Sequence, residues 1–388
     1  MKNRTTSVIL IVSAVLVLSS LEGIAPERSA AARRRPAASP VRVGVFDGRG
    51  ASAECVLETY EALRIDRDIR PSYVSALDIA RGALKDFDVL VFPGGSGSRE
   101  YNTLGLAQRE TIRDFVLKNG GGIVGICAGA YLISDTEGYP CLNLIDAEAI
   151  DREHDERGSA LAEISFTGRG FAIFPEMKGI EFGFIQYHDG PVFIPSNGRT
   201  APSYDELAVF KSDIHLAANA PTAMTPLKPV LLCQEAGEGR VFACSGHPER
   251  TKGMRWIVPR MVRWVARMDL VPYPSDVVRP SLNDREIMHS DKLETELFWR
   301  LFDESPERRM DALRKLADMQ YGNAPRWAVG MLRDTSPEAK SLAAKIVTDN
   351  EYTAAIPDLE AALSVEKDDR CRASLEACLN RLKQLRRD

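Results

Sequence analysis

Apolar residues fall in short runs divided by helix-period segments over the first two thirds of the chain. Val41 to Phe46 and Asp88 to Phe92 read as strands, and Ser52 to Arg64 reads as a helix. Gln108 to Lys118 carries Ile112, Phe115 and Val116 at helical spacing, then Gly120-Gly121-Gly122 leads into the apolar run Gly122 to Ile126. Between Ile145 and Ile214 the pattern is less regular, with short β-like runs at Ala172-Ile173-Phe174 and Val192-Phe193-Ile194. Leu207 to Phe210, Pro229 to Cys233 and Arg240 to Cys244 follow as strands, and Arg255 to Met268 as a closing helix. This alternation predicts an α/β fold over residues 41–275, a mainly parallel, doubly wound, flavodoxin-like sheet with helices on both faces.

Beyond Pro280 the period is helical throughout. Ser305-Pro306-Glu307, Ser336-Pro337-Glu338 and Lys367-Asp368-Asp369 recur at about 30-residue spacing, and each opens a helix. Ser-Pro-Glu supplies a cap, a proline for the first turn and an acid where the helix dipole favours it. Residues 285–388 therefore read as an all-α region resembling HEAT-type repeats, with a plain helical bundle as the alternative. Short solenoids mostly bind proteins, so a protein partner is expected there. A helical array and a sheet bury separate cores, so this region is expected to be removable without unfolding residues 41–275.

The N-terminus has another character. Lys2 and Arg4 precede an uncharged stretch from Ser7 to Leu21, and Ala30-Ala31-Ala32 offers a cleavage pattern. Residues 1–32 read as a signal peptide for export, periplasmic or extracellular. The alternative is an uncleaved membrane anchor, although the stretch is short of the roughly 20 apolar residues a span needs. Arg33-Arg34-Arg35 favours that alternative, because positive charge there resists translocation. Residues 33–40 form a linker.

Over 388 residues the net charge is −5, which gives no electrostatic basis for nucleic acid as a partner. Seven cysteines leave at least one unpaired, and no C-x-x-C or zinc-type spacing occurs, so neither a metal nor a cofactor is expected. Cys55, Cys233 and Cys244 lie in apolar runs and read as small packed hydrophobes. Cys141 is the candidate for a disulfide or a redox partner of Cys127. His154, in a charged run, reads as a surface residue.

The chemistry concentrates at Gly125-Ile126-Cys127-Ala128-Gly129, which follows a strand-like run and precedes the helix-compatible Ala130 to Ser134. This is the layout of a nucleophile elbow with cysteine in place of serine. A cysteine at a helix N-terminus has a dipole and free N–H groups beside it that favour the thiolate. Ser245-Gly246-His247-Pro248-Glu249, after another strand, supplies a base and an orienting carboxylate. In an open parallel sheet both loops converge on one crevice. Tyr187-His188-Asp189 beside Gly190-Pro191 reads either as a turn with polar tips or as a substrate-contacting loop.

Asp88 to Gly95, the Cys127 elbow and Gly246 to Glu249 together resemble the class I glutamine amidotransferase-like superfamily. Gly94-Gly95-Ser96-Gly97, Gly-Ile-Cys-Ala-Gly-Ala-Tyr, Tyr187 to Pro191 and Gly237 to Val241 resemble its biotin–protein ligase N-terminal-domain-like branch. The resemblance covers roughly residues 41 to 270 and implies Cys127 as nucleophile, His247 as base and Glu249 as its partner. It also implies an oxyanion hole from the N–H groups of Gly95 and Ala128, and substrate contacts from Gly94, Ser96, Tyr187, His188 and Asp189. No ATP-binding synthetase or biotin-handling region is found in these residues to receive ammonia or biotin. Two functions follow. One is a cysteine hydrolase of an amide or related acyl bond in a small-molecule or peptide-like substrate. The other is a non-catalytic binding or scaffold protein that keeps the pocket.

Overall fold

The computed structural model describes residues 39–152, 157–216 and 220–387. The signal segment and His154 lie outside the described residues. Twelve strands are present among the described residues: β1 Val41–Phe46, β2 Ile69–Val74, β3 Val89–Phe92, β4 Gly122–Ile126, β5 Ala147–Ala149, β6 Ser159–Phe166, β7 Gly183–His188, β8 Phe193–Pro195, β9 Asp205–Phe210, β10 Pro229–Ala236, β11 Gly239–Cys244 and β12 Ile287–His289. Helices α1 Ala53–Leu63, α2 Ala76–Ala80, α3 Gly97–Thr103, α4 Leu106–Leu117, α5 Ala128–Ile133, α6 Gly170–Ile173 and α7 Ile257–Val265 surround the sheet. Helices α8 Asp291–Arg300, α9 Pro306–Asp318, α10 Ala324–Met331, α11 Pro337–Asp349, α12 Ile356–Val365 and α13 Asp369–Arg386 follow. The molecule is thus an α/β sheet followed by an all-α region.

Strands β2, β1, β3, β4 and β11 pair in parallel in that order, and the apolar side chains of β1, β3, β4 and β11 are buried on both faces. That double burial explains their unbroken apolar runs. From β11 the same sheet continues antiparallel through β10, β9 and β6. Strand β6 also pairs β7 along its length and β12 at its N-terminal end. The β-like run Ala172 to Phe174 is largely helical. Thr167 Oγ1 accepts from Gly170 N at 3.0 Å in the turn that leads into α6.

The C-terminal helices begin where capping residues place them. Ser305, Ser336 and Asp368 each accept a backbone N–H three residues on, opening α9, α11 and α13. Their shared core holds Ala312, Leu313, Ala343, Ala344 and Leu375, and it also takes in Ile65 and Val277 from outside the helical region. The two regions meet along a seam of buried polar groups. Arg255 donates to Glu351 O, Gly253 N to Glu351 Oε2 at 3.0 Å, and Thr353 Oγ1 to Glu61 Oε2 at 2.9 Å. Arg326 pairs with Glu54, and Arg250 with both Glu58 and Asn323. Beside the separate helical core, a charged seam along α1 joins the two regions. Among the described residues no helix is long and apolar enough to cross a membrane.

Candidate active site

Strands β3, β4 and β11 end side by side, with Phe92 opposite Gly125 and Cys244 opposite Ile126. This register brings the loops at Gly94, Cys127 and His247 to one crevice at the carboxyl edge. Cys127 N donates to Cys244 O at 2.8 Å, tying the elbow to the strand that delivers His247. Cys127 has φ 52° and ψ −106°, a strained backbone for a side chain-bearing residue. The strain sits on the cysteine and not on its flanking glycines. Those are needed for close approach: a Cβ on Gly125 would strike Gly129 O, and one on Gly129 would strike Phe92 O. Helix α5 is under two turns long, so its dipole at Cys127 is small.

His247 is buried and doubly fixed. Its N–H donates to Gln186 O at 2.7 Å, and its carbonyl accepts from Thr251 Oγ1 at 2.7 Å. Its Nδ1 meets Glu249 Oε1 at 2.7 Å, and the other Glu249 oxygen is buried without a hydrogen bond. Burial opposes charge on the ring. Cys127 and then Glu249 outweigh it, with side-chain hydrogen bonds to Cys127 and Cys55, and hold the imidazole well above its ordinary 6.5. Cys127, His247 and Glu249 are therefore brought together.

Among the described residues no hydrogen bond occupies the N–H of Gly95 or Ala128. Gly94 packs against the ring: a Cβ there would lie 2.7 Å from His247 Cε1 and 2.9 Å from Cys55 Sγ. Ser96 is the N-cap of α3, and its hydroxyl lies 3.4 Å from Ser98 Oγ. A cavity of about 40 Å³ is lined by Tyr187, His188 and His247. Tyr187 donates to Gly190 O at 2.7 Å, and His188 O accepts from Cys127 Sγ at 3.4 Å. The Asp189 carboxylate is instead taken by the N–H groups of Arg157 and Gly158.

Three groups at the site escaped the sequence. Cys55, read as a packing residue, lies against the His247 ring. Ser52 N donates to Gly94 O at 2.8 Å, and this seats the first turn of α1 over a glycine with no side chain in the way. Arg250 and the Tyr321–Asn323 loop between α9 and α10 also line the cavity, so the helical region supplies one of its walls. Nothing in local spacing signals either. Cys141 is free, 3.7 Å from Thr136 O. As to metals, ligand atoms of Cys55, His247 and Glu249 lie within 4.8 Å of one another. The 2.7 Å bond between His247 Nδ1 and Glu249 already engages two of those side chains.

Behind the histidine, burial pushes the Glu58 carboxyl from 4.5 up to about 7, against the pull of Arg250 at 2.9 Å. A group whose proton affinity rises on folding leaves the native state holding more protons than the unfolded chain, so stability falls as pH rises. For Glu58 that loss runs from pH 4.5 to about 7. For His247 the contribution is complete below 6.5 and is lost as pH climbs through its raised value. The melting temperature is therefore expected to fall as pH rises from about 5 through neutrality, and Glu58→Gln to remove the lower part of that slope. Calorimetry across this range checks it, and an unchanged slope in Glu58→Gln would contradict it.

Residues 41–140 match the family model for the biotin-protein ligase N-terminal domain. The matched span carries Gly94, Gly95 and Cys127. It supports the biotin–protein ligase N-terminal-like resemblance there, and with the α/β sheet it fits an amidotransferase-like fold. No curated protein matches the chain. Similar solved structures include a ThuA-like protein from Parabacteroides merdae, 12% identical, covering 61% of this chain and 94% of that one at TM-score 0.43. A β-galactosidase from Bacillus circulans sp. alkalophilus is 15% identical over 63% of this chain and 32% of that one, TM-score 0.36. A cytoplasmic protein from Salmonella typhimurium LT2 is 13% identical over 58% and 98%, TM-score 0.36.

Proposed function

We propose that the chain is a cysteine-nucleophile hydrolase of an amide or related acyl bond, with Cys127 as nucleophile, His247 as base and Glu249 as its orienting partner. The observation that carries this reading is His247 held between a strained cysteine and a buried carboxylate. The Cys127 sulfur attacks the carbonyl carbon, and the N–H groups of Gly95 and Ala128 receive the oxyanion. Protonated His247 then gives its proton to the leaving amine as the C–N bond breaks, leaving a thioester on Cys127. Water, deprotonated by His247, attacks that thioester, releasing the acid and restoring the thiol. Gly94, Ser96, Tyr187 and His188 border the substrate, and Asp189 holds the turn beside them.

In this reading residues 41–275 are the catalytic domain. Residues 285–388 are a HEAT-like region that also meets a protein partner, and the N-terminal segment directs export. A second reading, a non-catalytic binding protein, is favoured by the cavity of about 40 Å³, which is little more than one water's share of liquid volume. One experiment separates the two. Brief incubation with p-nitrophenyl acetate followed by mass spectrometry is expected to show one acetyl group on Cys127, absent from Cys127→Ala. A wild-type chain that acquires no adduct at Cys127 supports the binding reading.

A further inference from the structure

A cleft of about 590 Å³ opens between the sheet and the helical region, within the size range of small-molecule sites. It adjoins the small cavity over His247 along three separate elements. On β6, Ser159 lines the cavity and Leu161, two residues along the same strand face, lines the cleft. That step is about 7 Å. After His247, Arg250 lines the cavity and Lys252 the cleft; after α9, Tyr321 lines the cavity and Gln320 the cleft. What divides the two spaces is the Gln320–Asn323 loop, fastened by a hydrogen bond from Gln186 Nε2 to Gln320 O.

The cleft has an unmatched cation. Lys252 is half-buried, and among the described residues its ammonium has no ion-pair partner. Asp349, the nearest acid in effect, is bound by Lys345. Burial, reinforced by Lys345 and Arg279 and opposed by Asp349 and Asp318, makes this ammonium easier to deprotonate than an ordinary lysine. A ligand carboxylate would give it the partner that the protein does not.

We infer that the substrate is a short peptide or N-acyl amino acid whose amide is cut at Cys127 and whose free carboxylate is held by Lys252 in the cleft, the Gln320–Asn323 loop standing between them. The inference rests on the hydrolase reading and adds a substrate class to it. The carboxylate belongs to the leaving-amine side, and the loop must shift for the chain of atoms to pass. At about 3.3–3.6 Å per extended residue, the number of residues between amide and carboxylate is a measurable quantity.

The test uses the full chain and thiol reagents of one reactivity: iodoacetyl-glycine, iodoacetyl-diglycine and iodoacetyl-triglycine, each with its C-terminal amide. At least one acid is expected to alkylate Cys127 about tenfold faster than its own amide, an advantage that shrinks with added salt. Lys252→Ala should bring that ratio to about one, with Lys252→Arg restoring it. Lys118→Ala, an exposed lysine beyond the opposite end of β4, should keep it. Gln186→Ala, which unfastens the loop, should speed the triglycine acid more than iodoacetamide. Equal rates for every acid and amide, or a preference that survives Lys252→Ala, overturn the substrate class while leaving Cys127 as nucleophile. If plain iodoacetamide does not label Cys127 ahead of the other thiols, the hydrolase reading fails and this inference falls with it.

Discussion

A chain lacking residues 285–388 is expected to lose much of its stability. Helix α1 presents Glu54 and Glu61 to the helical region, where Glu54 meets Arg326 and Glu61 meets Thr353 and, at 3.5 Å, Arg386. Arg250 stays with Glu58 but loses Asn323, and Arg255 loses Glu351 and Thr353. Removal strips Glu54 of Arg326 and Glu61 of Thr353 and Arg386, leaving both carboxylates on one face of α1 without these partners. It also breaks the hydrogen bonds from Gly253 to Glu351 and from Gln186 to Gln320, and strips β12 from β6. At about 0.5–1 kcal/mol for each of these largely polar contacts, the total is on the order of 5 kcal/mol. For a remaining region of this size that lowers the melting temperature by about 10–20 °C. Circular dichroism melts of both chains measure it. A truncated chain that unfolds cooperatively within a few degrees of the full one would show that the seam contributes little.

The seam was illegible in the sequence for a physical reason. Periodicity reports apolar faces, and Glu58, Glu61 and Arg255 are buried, and Arg250 half-buried, by pairing and hydrogen bonds instead. The parallel half of the sheet was legible because β1, β3, β4 and β11 are apolar on both faces and end in glycine-bearing loops. Strands β6 and β7 were not. Polar residues such as Glu163, Gln186 and His188 interrupt them, and their antiparallel pairing needs no intervening helix to announce it. Ala172 to Phe174 was misleading because the hydrogen-bonded turn after Thr167 overrode its β-branched and aromatic residues.

At the site the same division holds. Cys127, His247 and Glu249 were readable because the elbow and the strand-end loop are local patterns, and the fold only had to bring them together. Cys55 had no such pattern. Its place beside His247 follows from the approach of α1 to Gly94, a contact between segments distant in sequence. The Tyr321–Asn323 wall comes from farther still. What the sequence separated as a docking tail is, in space, also a side of the cavity.

The second large effect concerns the thiol. His247 is the cation beside Cys127, and α5 is too short for its dipole to replace it. His247→Ala is expected to slow alkylation of Cys127 at least about tenfold, and Glu249→Gln by less, since it acts through the ring. Burial raises the thiols of Cys141, Cys244, Cys371 and Cys378, and pushes that of Cys233 up to about 12. Cys378 is the most exposed of the seven, so it separates reactivity from mere access. The measurement that bears most directly on Cys127 as an activated nucleophile is peptide mapping after brief iodoacetamide treatment at neutral pH. The predicted result is Cys127 labelled first, ahead of Cys378, with Cys55, Cys233 and Cys244 far behind and the lead lost in His247→Ala. Labelling of Cys378 before Cys127, with no change on removing His247, would contradict it.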